Sequence, residues 1–300
     1  MLLGIGGGGD VFGALAVARR CEELGTQFVL GGVAWERLPI DPYPGPRPVG
    51  QIRGGEPLGR HAVLAGPETA TPEGARFSEA HAAAHLQRPT VLIDITDGPA
   101  GAADGIRAAA GLLGCDLVIY TDVGGDALAL GNEPGLGSPL CDAVMLAAGL
   151  SLGTLTDGVL ALVGAGCDGE LTIDEVLGRI AALAAAGAWI GSSSVTAAHA
   201  DDLERAATGS GTEASMQVVR CARGELGEAE IRGGRRRVPL SPLGALVFTF
   251  DLETAGAELP LARAVADARD LDGARAALNA LGVPTELDYE RERAAETPAG

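Results

Sequence analysis

Four aspartates stand just behind two short apolar runs. In VLIDITDG they are Asp94 and Asp97, and in LVIYTDVGGD they are Asp122 and Asp126. Both runs read as strands, and open α/β sheets bind ligands at the C-terminal ends of their strands. Asp10, directly after GIGGGG, joins them if the strands run parallel. Carboxylates brought together repel one another. The repulsion is relieved by a cation, by shared protons or by donors on a substrate. Asp97, Asp122 and Asp126 are therefore the expected ligands of a hard divalent cation such as Mg²⁺, which takes few carboxylates and completes its shell with water and phosphate oxygens. Asp122, Asp126 and Glu133 are the candidate catalytic residues, with Glu133 as general base. Gly124, Gly125 and Asn132 complete the wall of this cleft. For any one aspartate, helix capping or an Asx turn explains the residue as well; the set points to function.

The turn GIGGGGDVFGALAVARR adds a second chemistry. A helix N-terminus without Cβ atoms in the way presents backbone N–H groups to an anion. Gly6, Gly7, Gly8 and Gly9 are placed around a phosphate or carboxylate, with Asp10 as cap or ligand. Gly4, Gly6 and Gly9 match dinucleotide spacing, but Asp10 puts a negative charge where a pyrophosphate would press, and no nucleotide is identified. A packing turn is the alternative. GSGTEAS forms a second turn of this kind and makes Glu213 a ligand candidate, with Thr212 as N-cap. Weaker signals are His81 and His85, four apart as in a paired metal site, and Cys141 at a helix start, where a thiol pKa falls. Asp168 borders the cleft. Arg232, Arg235, Arg236 and Arg237 either grip phosphate or solvate a hairpin edge.

These residues need a frame that brings strand ends together. Strand patterns cover Met1–Ile5, Gln27–Leu30, Thr90–Ile95, Leu117–Tyr120 and Gly158–Val163. Helical patterns cover Asp10–Leu24, Ala102–Leu113 and a stretch from Ser138 to about Leu150, with Ser138 as N-cap and Pro139 at the first helical position. Thr172 and Glu175 form a capping-box pattern that opens another helix. The alternation predicts one Rossmann-like α/β domain over residues 1–285, with a mostly parallel sheet and helices on both faces. The Pro- and Gly-rich stretch 36–74 reads as an insertion or lid. Residues 228–251 read as a Gly-Gly hairpin followed by a last strand, ALVFTFD. Leu261–Leu281 reads as a terminal helix, and 286–300 as a flexible tail.

Composition narrows the partners. Net charge is −18, and all 22 basic residues are arginines. Such a surface repels phosphate backbones and anionic membranes, so a small molecule is the expected ligand, without nucleic acid or membrane. A homo-oligomer is compatible with this reading. Without lysine, neither a Schiff base nor a P-loop lysine is available. Five dispersed cysteines and the lack of a long apolar segment predict a cytoplasmic protein with reduced thiols.

GGGGDVFGALAVAR, VAWERLPIDPYPGP, VLIDITDG and DVGGDALALGNEPGLGSPLCDAVMLAA resemble domain-of-unknown-function family 1152 of archaea and bacteria. The resemblance runs from Leu3 to about Leu281 and brings no assigned activity. A local similarity, over Asp122–Glu133 alone, is to the Gly/Asp/Asn/Glu loop of D-glutamate cyclases and implies lyase chemistry. The residues themselves predict metal-assisted hydrolysis or group transfer on a small phosphorylated or carboxylated metabolite. A lyase and a non-catalytic metabolite- or nucleotide-binding module are the alternatives.

Overall fold

A computed structural model describes residues 1–153 and 157–296. In chain order its strands are β1 (Leu2–Gly4), β2 (Leu30–Val33), β3 (Arg53–Pro57), β4 (Ala62–Ala70), β5 (Thr90–Ile93), β6 (Leu117–Val123), β7 (Asp157–Val163), β8 (Trp189–Ser194), β9 (Gly227–Ile231), β10 (Arg236–Leu240) and β11 (Leu246–Asp251). The helices are α1 (Asp10–Glu23), α2 (Ser78–Leu86), α3 (Gly98–Leu113), α4 (Pro139–Leu152), α5 (Ile173–Ala185), α6 (Ala197–Ala206), α7 (Ala214–Ala222), α8 (Leu252–Ala255), α9 (Pro260–Val265), α10 (Leu271–Ala280) and α11 (Glu286–Glu296).

Nine strands form one sheet in the order β3-β4-β5-β2-β1-β6-β7-β11-β8. The five central strands, β5 to β7, are parallel, and antiparallel strands flank them on both sides. This is the Rossmann-like α/β architecture that the alternating pattern predicts. Strand order reverses at β1: the chain moves outward to β2 and β5, then returns to β6 on the other side. The crevice above β1 and β6 is thus the topological switch point.

Two apolar layers cover the sheet. One packs α3, α4, α5, α9 and α10 against it; the other packs α1, α6, α7 and the β9–β10 hairpin. The core is built from Ala, Leu, Val and Ile, and small residues let backbones approach closely. A side chain at Gly4 would overlap the backbone at Val11, so α1 rides directly on β1. Thr172 Oγ1 accepts the Glu175 N–H while the Glu175 carboxylate accepts the Thr172 N–H at 2.7 Å, the expected capping box of α5.

Several expectations change. The stretch 36–74, between β2 and α2, carries β3 and β4, which extend the sheet from β5 to its edge at β3. Strand β8 follows α5 without a sequence signal, since WIGSSS is mostly exposed. The expected helix Leu261–Leu281 is broken into α9 and α10. Residues 286–296, expected as a tail, form α11 and bury Glu286, Leu287 and Glu290; residues 297–300 lie outside the described residues. The hairpin turn holds Gly233 and Gly234 at φ 67° and 80°, as a Gly-Gly turn requires. Among the described residues, no helix is long and apolar enough to cross a membrane.

Candidate functional site

The glycine turn leaves β1 at the switch point and is held from three sides. The Gly6 N–H donates to Asp10 Oδ2 at 2.9 Å, and the Gly8 N–H to the Trp35 carbonyl at 2.9 Å. Gly7 and Gly8 adopt φ 76° and 52°, where a Cβ is costly. The Ser215 hydroxyl donates to the Gly9 carbonyl at 2.8 Å, and a methyl on Gly9 would overlap the Thr212 hydroxyl. Two of the four glycine N–H groups are therefore already engaged within the protein. Gly9→Ala is expected to cost about 2 kcal/mol by overpacking, read as a lower urea midpoint. Adding Thr212→Gly should restore most of it; an unchanged Gly9→Ala midpoint would contradict this packing.

Beside the turn lie two groups of three acids. Asp10 from α1, Asp122 from β6 and Asp142 from α4 place one carboxylate oxygen each within 4.8 Å of one another, and Asp126, Asp168 and Glu170 do the same. Asp122 and Asp142 are each 1% exposed, and all four of their carboxylate oxygens lack a hydrogen-bond partner. Burial, then the Asp10 and Asp168 charges, pushes Asp122 well above the usual carboxylate range, with only the adjacent Asp126 carboxyl acting against the shift as a hydrogen-bonding side chain. Burial, then Asp122 and Asp10, does the same to Asp142. Asp10 is pushed up to about 7, mainly by burial, despite the Gly6 N–H.

The second group is better compensated. Glu170 accepts the Gly137 and Ser138 N–H groups at 2.7 and 2.9 Å and the Ser138 hydroxyl at 2.6 Å. Arg236 and Arg232 approach it at 3.1 and 3.7 Å. Gly124, at φ 126°, lacks a side chain where the Asp168 carboxyl sits, and Asp168 Oδ2 remains without a partner. Asp126 is raised well above the usual range by burial and then by Asp142. The first group is thus the less compensated one: it has the Gly6 N–H on Asp10 and the Arg37 charge nearby, and oxygen ligands of that number and charge suit a hard divalent cation.

Around the turn is a third set that the sequence did not reveal. The Arg37 guanidinium lies over the Trp35 ring at 4.3 Å, donates to the Gly6 carbonyl and reaches Glu286 at 3.4 Å. Glu286, from α11, accepts the Leu140 and Cys141 N–H groups at 3.0 and 2.9 Å and so caps α4 from a distant helix. Glu290 accepts the Trp35 indole N–H at 3.0 Å and the Gly45 N–H at 2.8 Å. Glu286→Ala would leave the Leu140 and Cys141 N–H groups without an acceptor and take one of its carboxylates from Arg37. A loss of about 2 kcal/mol is expected, measured by urea unfolding; a change within error would show that α4 needs no such cap. Next to the turn, Glu36 lies 3.8 Å from a Cβ built on Gly8 and accepts the Ser78 N–H, and Glu79 is buried with both oxygens unpartnered.

The expected residues divide. Asp10, Asp122 and Asp126 come together with the glycine turn. Gly124 makes room for Asp168, and Gly125 packs against Val176. Asp97 lies elsewhere: its strand, β5, is separated from β6 by β2 and β1, and its carboxylate meets His61 at 3.0 Å and Arg60 at 3.4 Å. Glu133 also lies outside both acid groups. Its carboxylate accepts the N–H groups of Leu130, Gly131 and Asn132 at 2.7, 2.8 and 3.1 Å, closing its own loop. Asn132 is exposed there. Glu213 is itself the N-cap residue of α7 and accepts the Arg232 N–H at 2.8 Å, tying the hairpin to that helix. Ser138 starts α4 without a side-chain cap, because its hydroxyl is turned to Glu170. Cys141 is fully buried, and burial raises its thiol pKa rather than lowering it. His85 pairs with Asp202 at 2.8 Å while His81 faces Gly209, so the two share no ligand. Arg235 donates to the Tyr289 hydroxyl at 3.1 Å, and Arg237 pairs with Glu230 at 3.1 Å.

No curated protein and no solved structure matches the chain. A family model described as "Protein of unknown function (DUF1152)" matches residues 1–294. The chain, with its glycine turn, its acid groups and the Glu286 that caps α4 all inside that match, belongs to this family.

Proposed function

We propose that the chain is an enzyme that seats a divalent cation on Asp10, Asp122 and Asp142 and acts on a small anionic metabolite by hydrolysis or group transfer. The observation that carries this reading is the four unpartnered oxygens of Asp122 and Asp142, side by side in a buried crevice. An uncompensated pair of this kind is costly unless a ligand answers it. A cation there would polarise a phosphoryl or carboxyl oxygen of the substrate. Asp126 and Asp168 are the proton-transfer candidates, because they lie beside that seat and Asp168 Oδ2 has no partner. Glu133, with three N–H donors on its carboxylate, is not asked to be the base.

The reading has an electrostatic corollary. The crevice is strongly negative, so a phosphate or carboxylate enters only after the cation has offset that charge. In a thermal-shift experiment, Mg²⁺ or Mn²⁺ alone should raise the melting temperature, since a ligand of the native state stabilises it. Inorganic phosphate, pyrophosphate or citrate should add to the shift only when the cation is present. No shift with Mg²⁺, Mn²⁺ or Ca²⁺ would remove the proposal. A sensing module is told from an enzyme by Asp168→Asn, which in an enzyme abolishes turnover while cation binding persists.

A further inference from the structure

The five cysteines are dispersed in the sequence, yet the fold brings two of them together. Cys167 lies in the turn after β7, and Cys221 near the end of α7. Both sulfurs converge on Gly244. A Cβ built there would stand 2.5 Å from Cys221 Sγ and 3.0 Å from Cys167 Sγ, so only a glycine leaves them room. The Cys167 thiol donates toward the Gly244 carbonyl at 4.0 Å. The neighbouring Cys167 thiol pulls the Cys221 thiol down to about 7, and nearby Arg220 acts in the same direction. Cys221, then burial, raises the Cys167 thiol, which stays protonated. A thiolate beside a protonated thiol is the arrangement of an attacking and a resolving cysteine.

The turn that carries Cys167 is tied to the acid groups. Asp168 is the next residue, with one oxygen on the Glu170 N–H at 3.2 Å. Gly164, Gly166 and Gly169 hold φ values of 70°, 76° and 71° around it. The Gly166 N–H donates to the Gly124 carbonyl at 2.7 Å, which links the turn to the end of β6.

We infer that Cys167 and Cys221 are a reversible disulfide couple whose closure displaces Asp168. With hydrogen peroxide as oxidant, the Cys221 sulfur takes one oxygen as a sulfenic acid, and one water leaves. The Cys167 sulfur then displaces that oxygen as a second water, and the S–S bond forms. Two thiols lose two hydrogens, and one peroxide becomes two waters; a dithiol reductant reverses the change by exchange. Closure brings the two sulfurs, both beside Gly244, to about 2.05 Å. Cys221 is held on a helix and Cys167 on a glycine turn, so the turn yields, and Asp168 moves with it. This inference does not depend on the proposed cation.

The test uses the full-length chain. It is treated with hydrogen peroxide, denatured, alkylated and mapped by mass spectrometry. The expected result is loss of two of the five alkylatable thiols, recovery of a peptide linked through Cys167 and Cys221, and reversal by dithiothreitol. Amide hydrogen exchange over residues 164–170 should speed up by roughly threefold or more on oxidation, as local protection is lost, and Cys221→Ser should abolish that response. Oxidation confined to Cys21 and Cys115, with Cys167 and Cys221 still alkylated, would overturn the couple. A linked peptide with unchanged exchange over 164–170 would overturn the displacement of Asp168.

Discussion

Asp122→Asn is expected to stabilise the cation-free chain and to abolish its response to Mn²⁺. The two halves of this result have one cause. Without a cation, keeping a buried carboxyl at Asp122 means holding it protonated against solvent, at ~1.4 kcal/mol for each pH unit above its unfolded value. The amide avoids that cost but brings donors of its own that lack partners, a penalty of ~1–3 kcal/mol. Well above the unfolded value the first cost is the larger, so the variant should melt higher than the wild type at about pH 8. With the cation the sign reverses. At a hundredfold excess over its dissociation constant, Mn²⁺ stabilises the wild-type chain by ~2.7 kcal/mol, and the variant has lost the central ligand. Melting curves with and without about 1 mM Mn²⁺ test both halves. A variant that melts lower without metal, or that keeps the full Mn²⁺ shift, contradicts the reading of Asp122 as a ligand.

The second large effect is a dependence on pH opposite in sign to that of most buried ion-paired carboxylates. Burial pushes Glu36 from 4.5 to about 7, against the Ser78 N–H that lowers it. Glu79 is driven well above 4.5 by burial and then by the Glu36 charge. For an acid whose folded pKa lies above its unfolded one, the folded chain holds a proton that the unfolded chain releases. The stability it contributes is present in full below the unfolded value of 4.5 and is lost as pH rises through about 7. Asp10 and Asp168, both pushed up to about 7, act in the same direction while no cation is bound. Urea unfolding of the cation-free chain should therefore show a fall of several kcal/mol between about pH 5 and pH 8, at ~1.4 kcal/mol per unit for each group involved. Glu79→Gln should flatten that slope. A curve that rises over this range would show that these carboxyls find partners in the folded state.

The sequence made one part of the site readable for a definite reason. Asp10 follows β1 across the glycine turn and Asp122 sits next to the last residue of β6, so strand ends and ligands are read from the same local stretch. Asp142, by contrast, lies inside an apolar helical run, and nothing local turns it toward β6. Glu170 and Glu286 act through backbone N–H groups of α4 that lie 32 and 146 residues away, a separation that no spacing rule spans. Asp97 was misplaced because strand order is not sequence order: β2 and β1 stand between β5 and β6. Glu133 drew attention as an acid in a glycine loop, and the same flexibility lets that loop fold back onto its carboxylate. Fold class was easier to read, since alternating strand and helix patterns allow few arrangements. The antiparallel flanks escaped that logic, because β3 and β8 are exposed edge strands without an apolar signal.

The cap on α4 also governs the order of assembly. Helix α4 can coil as soon as its own residues are available, but its N-terminal amides wait for a carboxylate 146 residues further along. A contact this distant closes a long loop and belongs to the late, slow part of folding. Until then Arg37, which donates to the Gly6 carbonyl of the glycine turn, also lacks the Glu286 carboxylate. The crevice is therefore a product of the completed chain rather than of its N-terminal half, and an isolated N-terminal fragment should collapse into a sheet that cannot yet hold an ion.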